Sequence, residues 1–75
     1  MACVSPDGRP TENGFSMLKA IAREALSPED VAEATGLPLF RVRSGLRELE
    51  AAGLALGSEG RYRASDKGRE MMSQA

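Results

Sequence analysis

The chain has 75 residues, carries a formal net charge of −1 and contains one cysteine and no histidine. One small domain is all that this length builds, burying roughly 60% of the surface its unfolded chain exposes, which leaves little room for an internal catalytic cavity. A lone Cys3 without His excludes an internal disulfide, argues against a zinc site, and removes the commonest general base near neutral pH.

The charge is unevenly placed. Residues 1–36 hold three basic and six acidic side chains, net −3, whereas residues 37–75 hold seven basic and five acidic, net +2. Local field rather than net charge decides where an anion docks, so this asymmetry permits a nucleic-acid partner. No apolar run approaches the ~20 residues of a membrane span. The start, MACVSPDGRPTENG, lacks the charged-then-apolar pattern of a secretory signal, which leaves the cytoplasm as the expected compartment.

In chain order, residues 1–13 contain Pro6, Gly8 and Pro10 among small polar residues and read as a flexible leader. Residues 14–26 read as a first helix with a stripe of Phe15, Leu18, Ile21, Ala22 and Ala25, capped by Asn13. Phe15 is expected in the core. Ser27-Pro28-Glu29-Asp30 is a strong helix start: a hydroxyl cap, a proline at the first helical position, and acids at the positive end of the dipole. The second helix then runs to Thr35, with Gly36 as its left-handed stop. Leu37 is expected to plug the corner.

A third helix spans Pro38–Ala52 and ends at Gly53. Val42, Leu46 and Leu49 recur at four- and three-residue steps and line its inner face, leaving Phe40, Arg43, Ser44 and Arg47 on or near the opposite face. Gly45 is expected where another helix comes close. Leu54-Ala55-Leu56 and Arg61-Tyr62-Arg63-Ala64 read as two strands of a hairpin, with Gly57 and Gly60 free to take positive φ around Ser58-Glu59. Tyr62 then faces the helices, and Arg61 and Arg63 share the outer face. Ser65 is a cap for a last short helix over Arg69–Ser73, whose Met71 and Met72 either close the core or meet another subunit.

This order, with the residues LSPEDVAEATGLPLFRVRSGLRELEAAGLA and GRYRASDKG, resembles the winged helix-turn-helix domains of bacterial and archaeal transcription regulators. The multiple-antibiotic-resistance, isocitrate-lyase-repressor and arsenical-repressor groups resemble it equally, and the pattern covers about residues 15–72. The expected fold is therefore mostly α with a small β-hairpin: a three-helix bundle plus wing and a short C-terminal helix, forming one domain over residues 14–75. The resemblance implies a regulator that binds double-stranded DNA, with the third helix in the major groove and the wing on the backbone. By position it makes Leu39, Phe40, Arg41, Arg43, Ser44 and Arg47 the helix-borne contacts, and Arg61 and Arg63 the wing contacts. Arg43 or Arg47 suits a guanine edge; Arg41, Arg61 and Arg63 suit phosphates.

Two departures keep a second reading open. Leu39 and Phe40 stand where such helices usually carry Ser, Thr or Lys, and Glu59 at the wing tip repels phosphate. The alternative is a winged-helix adaptor that binds another protein through the Leu39/Phe40 surface. A regulator of this size also calls for a homodimer or a second domain, since one small module gives limited specificity. No enzyme activity, cofactor or metal is expected: the sequence has no His, no phosphate-cradling glycine motif and no metal-ligand set.

Overall fold

The computed structural model describes residues 10–73. Its elements are α1 (Glu12–Arg23), α2 (Pro28–Thr35), α3 (Leu39–Ala51), β1 (Ala55–Ser58), β2 (Arg61–Ala64) and α4 (Asp66–Ser73). Three helices followed by an antiparallel hairpin and a short closing helix make this a mostly α winged helix-turn-helix fold. Of the expected leader over residues 1–13, residues 1–9, Cys3 included, lie outside the described residues.

Helix α1 begins earlier than the sequence suggests. Thr11, not Asn13, is its cap, accepting from the Gly14 N–H at 3.4 Å. Residues 12 and 13 therefore belong to the helix and not to a leader. Its buried stripe is Gly14, Met17, Leu18 and Ile21, so Met17 takes the core place expected of Phe15, which is only half-buried. Both residues sit at helical spacing from Leu18 and Ile21; only the position of α2 and α3 decides which flank of the stripe is covered. The helix also stops at Arg23, short of Leu26.

Leu26 has a different task. Its N–H donates to the Tyr62 carbonyl at 2.9 Å and its carbonyl accepts from the Tyr62 N–H at 2.8 Å. This isolated antiparallel bridge adds a single-residue third strand to β2, on the edge that β1 leaves free. The wing is thereby tied to the segment between α1 and α2.

Helix α2 follows its local signals closely. Ser27 Oγ accepts from Asp30 N–H at 3.2 Å, Pro28 opens the helix, and Gly36 ends it at φ 75°, donating its N–H to the Ala32 carbonyl at 2.9 Å. Thr35 Oγ1 then accepts from the Leu37 N–H at 3.3 Å, which fixes the turn into α3. Leu37 is half-buried against the core. Pro38 is the residue flanking α3 rather than its first helical position, and Val42, Gly45, Leu46 and Leu49 form the buried face.

The core draws one layer from every early element: Met17, Leu18 and Ile21 from α1, Val31 from α2, Val42, Leu46 and Leu49 from α3, then Leu54, Ala55 and Ala64 around the hairpin. Among the described residues, no buried side-chain nitrogen or oxygen lacks a hydrogen-bond partner, as expected where desolvation is costly.

Helix α4 starts three residues before the expected Arg69, at Asp66. Ser65 is the cap, accepting from the Gly68 N–H at 3.0 Å while its hydroxyl donates to the Gly53 carbonyl at 2.6 Å. Gly68 is buried against the Leu54 backbone. Met71 and Met72 are half-buried against the core.

A candidate nucleic-acid interface on the third helix and wing

The turn between α2 and α3 brings two edges together. Burial of Val42, Gly45, Leu46 and Leu49 leaves Phe40, Arg43, Ser44 and Arg47 exposed along the other side of α3. Their spacing of three, one and three residues is that of one continuous helical strip. Phe40, at the N-terminal end, is 71% exposed and is the most exposed large apolar side chain described. Leu39 and Arg41 flank it and are half-buried.

Arg43 is not an isolated cation. Its guanidinium lies 3.3 Å from Glu29 Oε2, an ion pair that spans α2 and α3. Glu29 stands there because Ser27 and Pro28 start α2 immediately before it, which puts it in the first turn. Local sequence gives Glu29 only a place at the positive end of the α2 dipole. Nothing in local sequence places it opposite a residue fourteen positions later. Both partners are well exposed, so the pair stabilises the fold little. Its consequence is electrostatic: Glu29 offsets Arg43, and Arg47 is left with more of the strip's positive field.

The wing is set by its register. Ala55 pairs with Ala64, Leu56 with Arg63, Gly57 with Tyr62, and Ser58 with Arg61. Alternation then puts Ala55, Gly57, Tyr62 and Ala64 on one face and Leu56, Ser58, Arg61 and Arg63 on the other. Tyr62 packs against the core, and all four residues of the outer face are exposed. The loop is Glu59-Gly60, with φ 52° and 77°. Positive φ at both central residues is the mirror-image turn that matches strand twist, usually built from Asn-Gly. Gly57, expected among the positive-φ residues, is not one of them. It is small for another reason: a side chain there meets the Tyr62 ring and Glu50 Oε2. Glu50 in turn accepts from the Gly57 N–H at 3.2 Å, fastening the end of α3 to β1.

Two of the seven basic residues in the second half of the chain are occupied elsewhere. Lys67 Nζ donates to the Ala52 carbonyl at 3.2 Å, at the C-terminus of α3. Arg69 donates to the Ala22 carbonyl at 3.3 Å, in the last turn of α1. Cations at helix C-termini satisfy orphan carbonyls and oppose the negative dipole end. The exposed positive groups of the strip and wing are thus Arg43, Arg47, Arg61 and Arg63.

Among the described residues, no three His, Cys, Asp or Glu side chains gather into a metal-holding group, and no helix is long and apolar enough to cross a membrane.

No protein-family model matches this chain, and no curated protein matches it. Among solved structures it is similar to the crystal structure of CalO1, a methyltransferase in calicheamicin biosynthesis, in its SAH-bound form. The match has a TM-score of 0.70 at 25% identity and covers 84% of this chain. It covers 19% of the methyltransferase, so the chain spans about a fifth of that protein's length. The same arrangement of helices and hairpin therefore also occurs as one part of a larger enzyme.

Proposed function

We propose that this chain is a DNA-binding transcription regulator acting in the cytoplasm, placing α3 in the major groove and the wing on the backbone. The observation that carries the reading is the exposed strip of Arg43, Ser44 and Arg47 on α3, on the side turned away from the core. An α-helix fits the major groove, where an arginine donates two hydrogen bonds to a guanine edge. Arg61 and Arg63 on the outer face of the wing supply phosphate contacts, which position the module without reading sequence. The chain's role is binding rather than catalysis, in keeping with a sequence that has no histidine.

Fluorescence anisotropy with a random duplex at low salt tests this. The two phosphate contacts of Arg61 and Arg63 give a slope of about −2 in log K against log salt. Absence of binding, or binding indifferent to salt, overturns the proposal.

A protein-binding adaptor is the second reading, and the exposure of Phe40 favours it specifically. A winged helix within a methyltransferase shows that the architecture alone does not commit a chain to DNA. Phe40→Ser separates the two. As an adaptor, the variant loses its partner and keeps whatever DNA affinity it had. As a regulator in which the ring meets a thymine methyl, the variant binds DNA several-fold more weakly.

A further inference from the structure

Away from the α3 strip, α1 and α2 present two neighbouring edges of opposite charge. Lys19, Ala20 and Arg23 follow one another at helical spacing along α1, and Lys19 and Arg23 are exposed. Asp30, Glu33 and Ala34 do the same along α2, and all three are exposed. An open groove of about 670 Å³ runs between these helices and the end of α4, lined by Lys19, Ala20, Arg23, Ala34 and Met72 among others. A second hollow, of about 490 Å³, holds Asp30 and Glu33 and shares Ala34 with the first. Ala34 therefore sits at the junction of a basic half and an acidic half. Among the described residues, Lys19, Arg23, Asp30 and Glu33 take part in no ion pair, whereas Arg43 pairs with Glu29.

We propose that this surface is the isologous contact of a homodimer, with the basic α1 edge of one copy lying on the acidic α2 edge of the other and the reverse pairing across the two-fold axis. A two-fold axis through Ala34 requires a patch that complements itself, since each residue meets its partner twice. A surface with adjoining positive and negative halves meets that requirement; an all-basic or all-acidic groove repels its own copy. The small side chains Ala20 and Ala34 let the helices approach closely, and Met72 adapts its shape to fill what remains. Apolar contact at the centre supplies the affinity. The four charge pairs at the rim set the register and add modestly to binding.

The inference does not rest on the DNA reading, and its test contains no DNA. Sedimentation velocity on the full chain from about 1 µM to about 1 mM spans the association strengths relevant here. The expected result is a monomer–dimer equilibrium that weakens as salt rises. Lys19→Glu combined with Arg23→Glu abolishes self-association, as does Asp30→Lys combined with Glu33→Lys. Mixing the two charge-reversed variants restores a dimer, because each now complements the other. Ala34→Gln, which changes no charge, weakens association at least tenfold by holding the helices apart. Circular dichroism verifies that each variant is folded. A chain monomeric throughout that range overturns the proposal. So does association that survives both reversals, or a mixture that stays monomeric. An interface for a different protein gives the first of these outcomes.

Discussion

Gly68 shows how much a single side chain decides here. A methyl group added at this position collides with the Leu54 carbonyl oxygen and crowds the Leu18 side chain. Backbone cannot move aside as a flexible side chain does, so α4 must lift. Gly68→Ala is expected to destabilise the fold by about 1–3 kcal/mol, the usual range for overpacking. Thermal melting should record a fall of at least ~4 °C; an unchanged melting temperature means that α4 is not seated on Leu54. Glu59 makes the opposite case. It occupies a left-handed conformation, φ 52°, which Asn accepts more readily than Glu. Glu59→Asn should therefore raise the melting temperature by a few degrees. It also removes a negative charge from the wing tip, so DNA affinity should rise in an anisotropy titration. The two readouts are independent: a gain in stability with no gain in affinity places the wing tip away from phosphate.

At the scale of elements, the structure depends on ties between segments distant in sequence. Leu26 joins β2, Glu50 joins β1 to the end of α3, and Ser65, Lys67 and Arg69 hold α4 against carbonyls of the Gly53 corner, α3 and α1. A two-stranded hairpin alone is marginal in water, so these ties explain why so short a wing stands. Leu26→Pro provides the test, since proline cannot donate to the Tyr62 carbonyl. A loss of about 1–3 kcal/mol is expected from the missing bond and the unsatisfied acceptor. Hydrogen exchange should quicken at the β2 amides before the α3 core. Protection in β2 that is unchanged by the substitution shows that Leu26 does not support the wing.

For the whole molecule, the question is where a net charge of −1 leaves a positive face. Lys67 and Arg69 are spent on helix ends, and Glu29 offsets Arg43. Arg47 is thus expected to matter more than Arg43 for duplex binding. Arg47→Ala should weaken binding roughly five- to hundredfold if its guanidinium reads a base, the equivalent of ~1–3 kcal/mol, and leave the salt slope nearly unchanged. A drop in slope of about one unit instead assigns Arg47 to a phosphate. An affinity unaffected by Arg47→Ala places the interface off α3.

The division between sequence and tertiary structure follows the reach of the interactions. Helix α2, its Ser27 cap, its Gly36 stop and the inner stripe of α3 were legible because each depends on residues within about four positions of one another, and the hairpin because its two strands are joined by a two-residue loop. Capping, left-handed turns and side-chain periodicity act at that range. What remained illegible was set by neighbours brought from elsewhere. Met17 and Phe15 offer equal apolar surface, and only the packing of α2 and α3 buried one and left the other half out. Leu26 ends the expected first helix in sequence but bridges to β2 in the fold, because an open edge on β2 offers its backbone two hydrogen bonds. The contacts of Glu29, Lys67 and Arg69 bridge 14, 15 and 47 positions. By itself, then, the sequence determined which local elements form and which α3 residues point inward. Tertiary packing alone decided which of the remaining charges face water, because a side chain's partner across the fold is invisible until the backbone has closed.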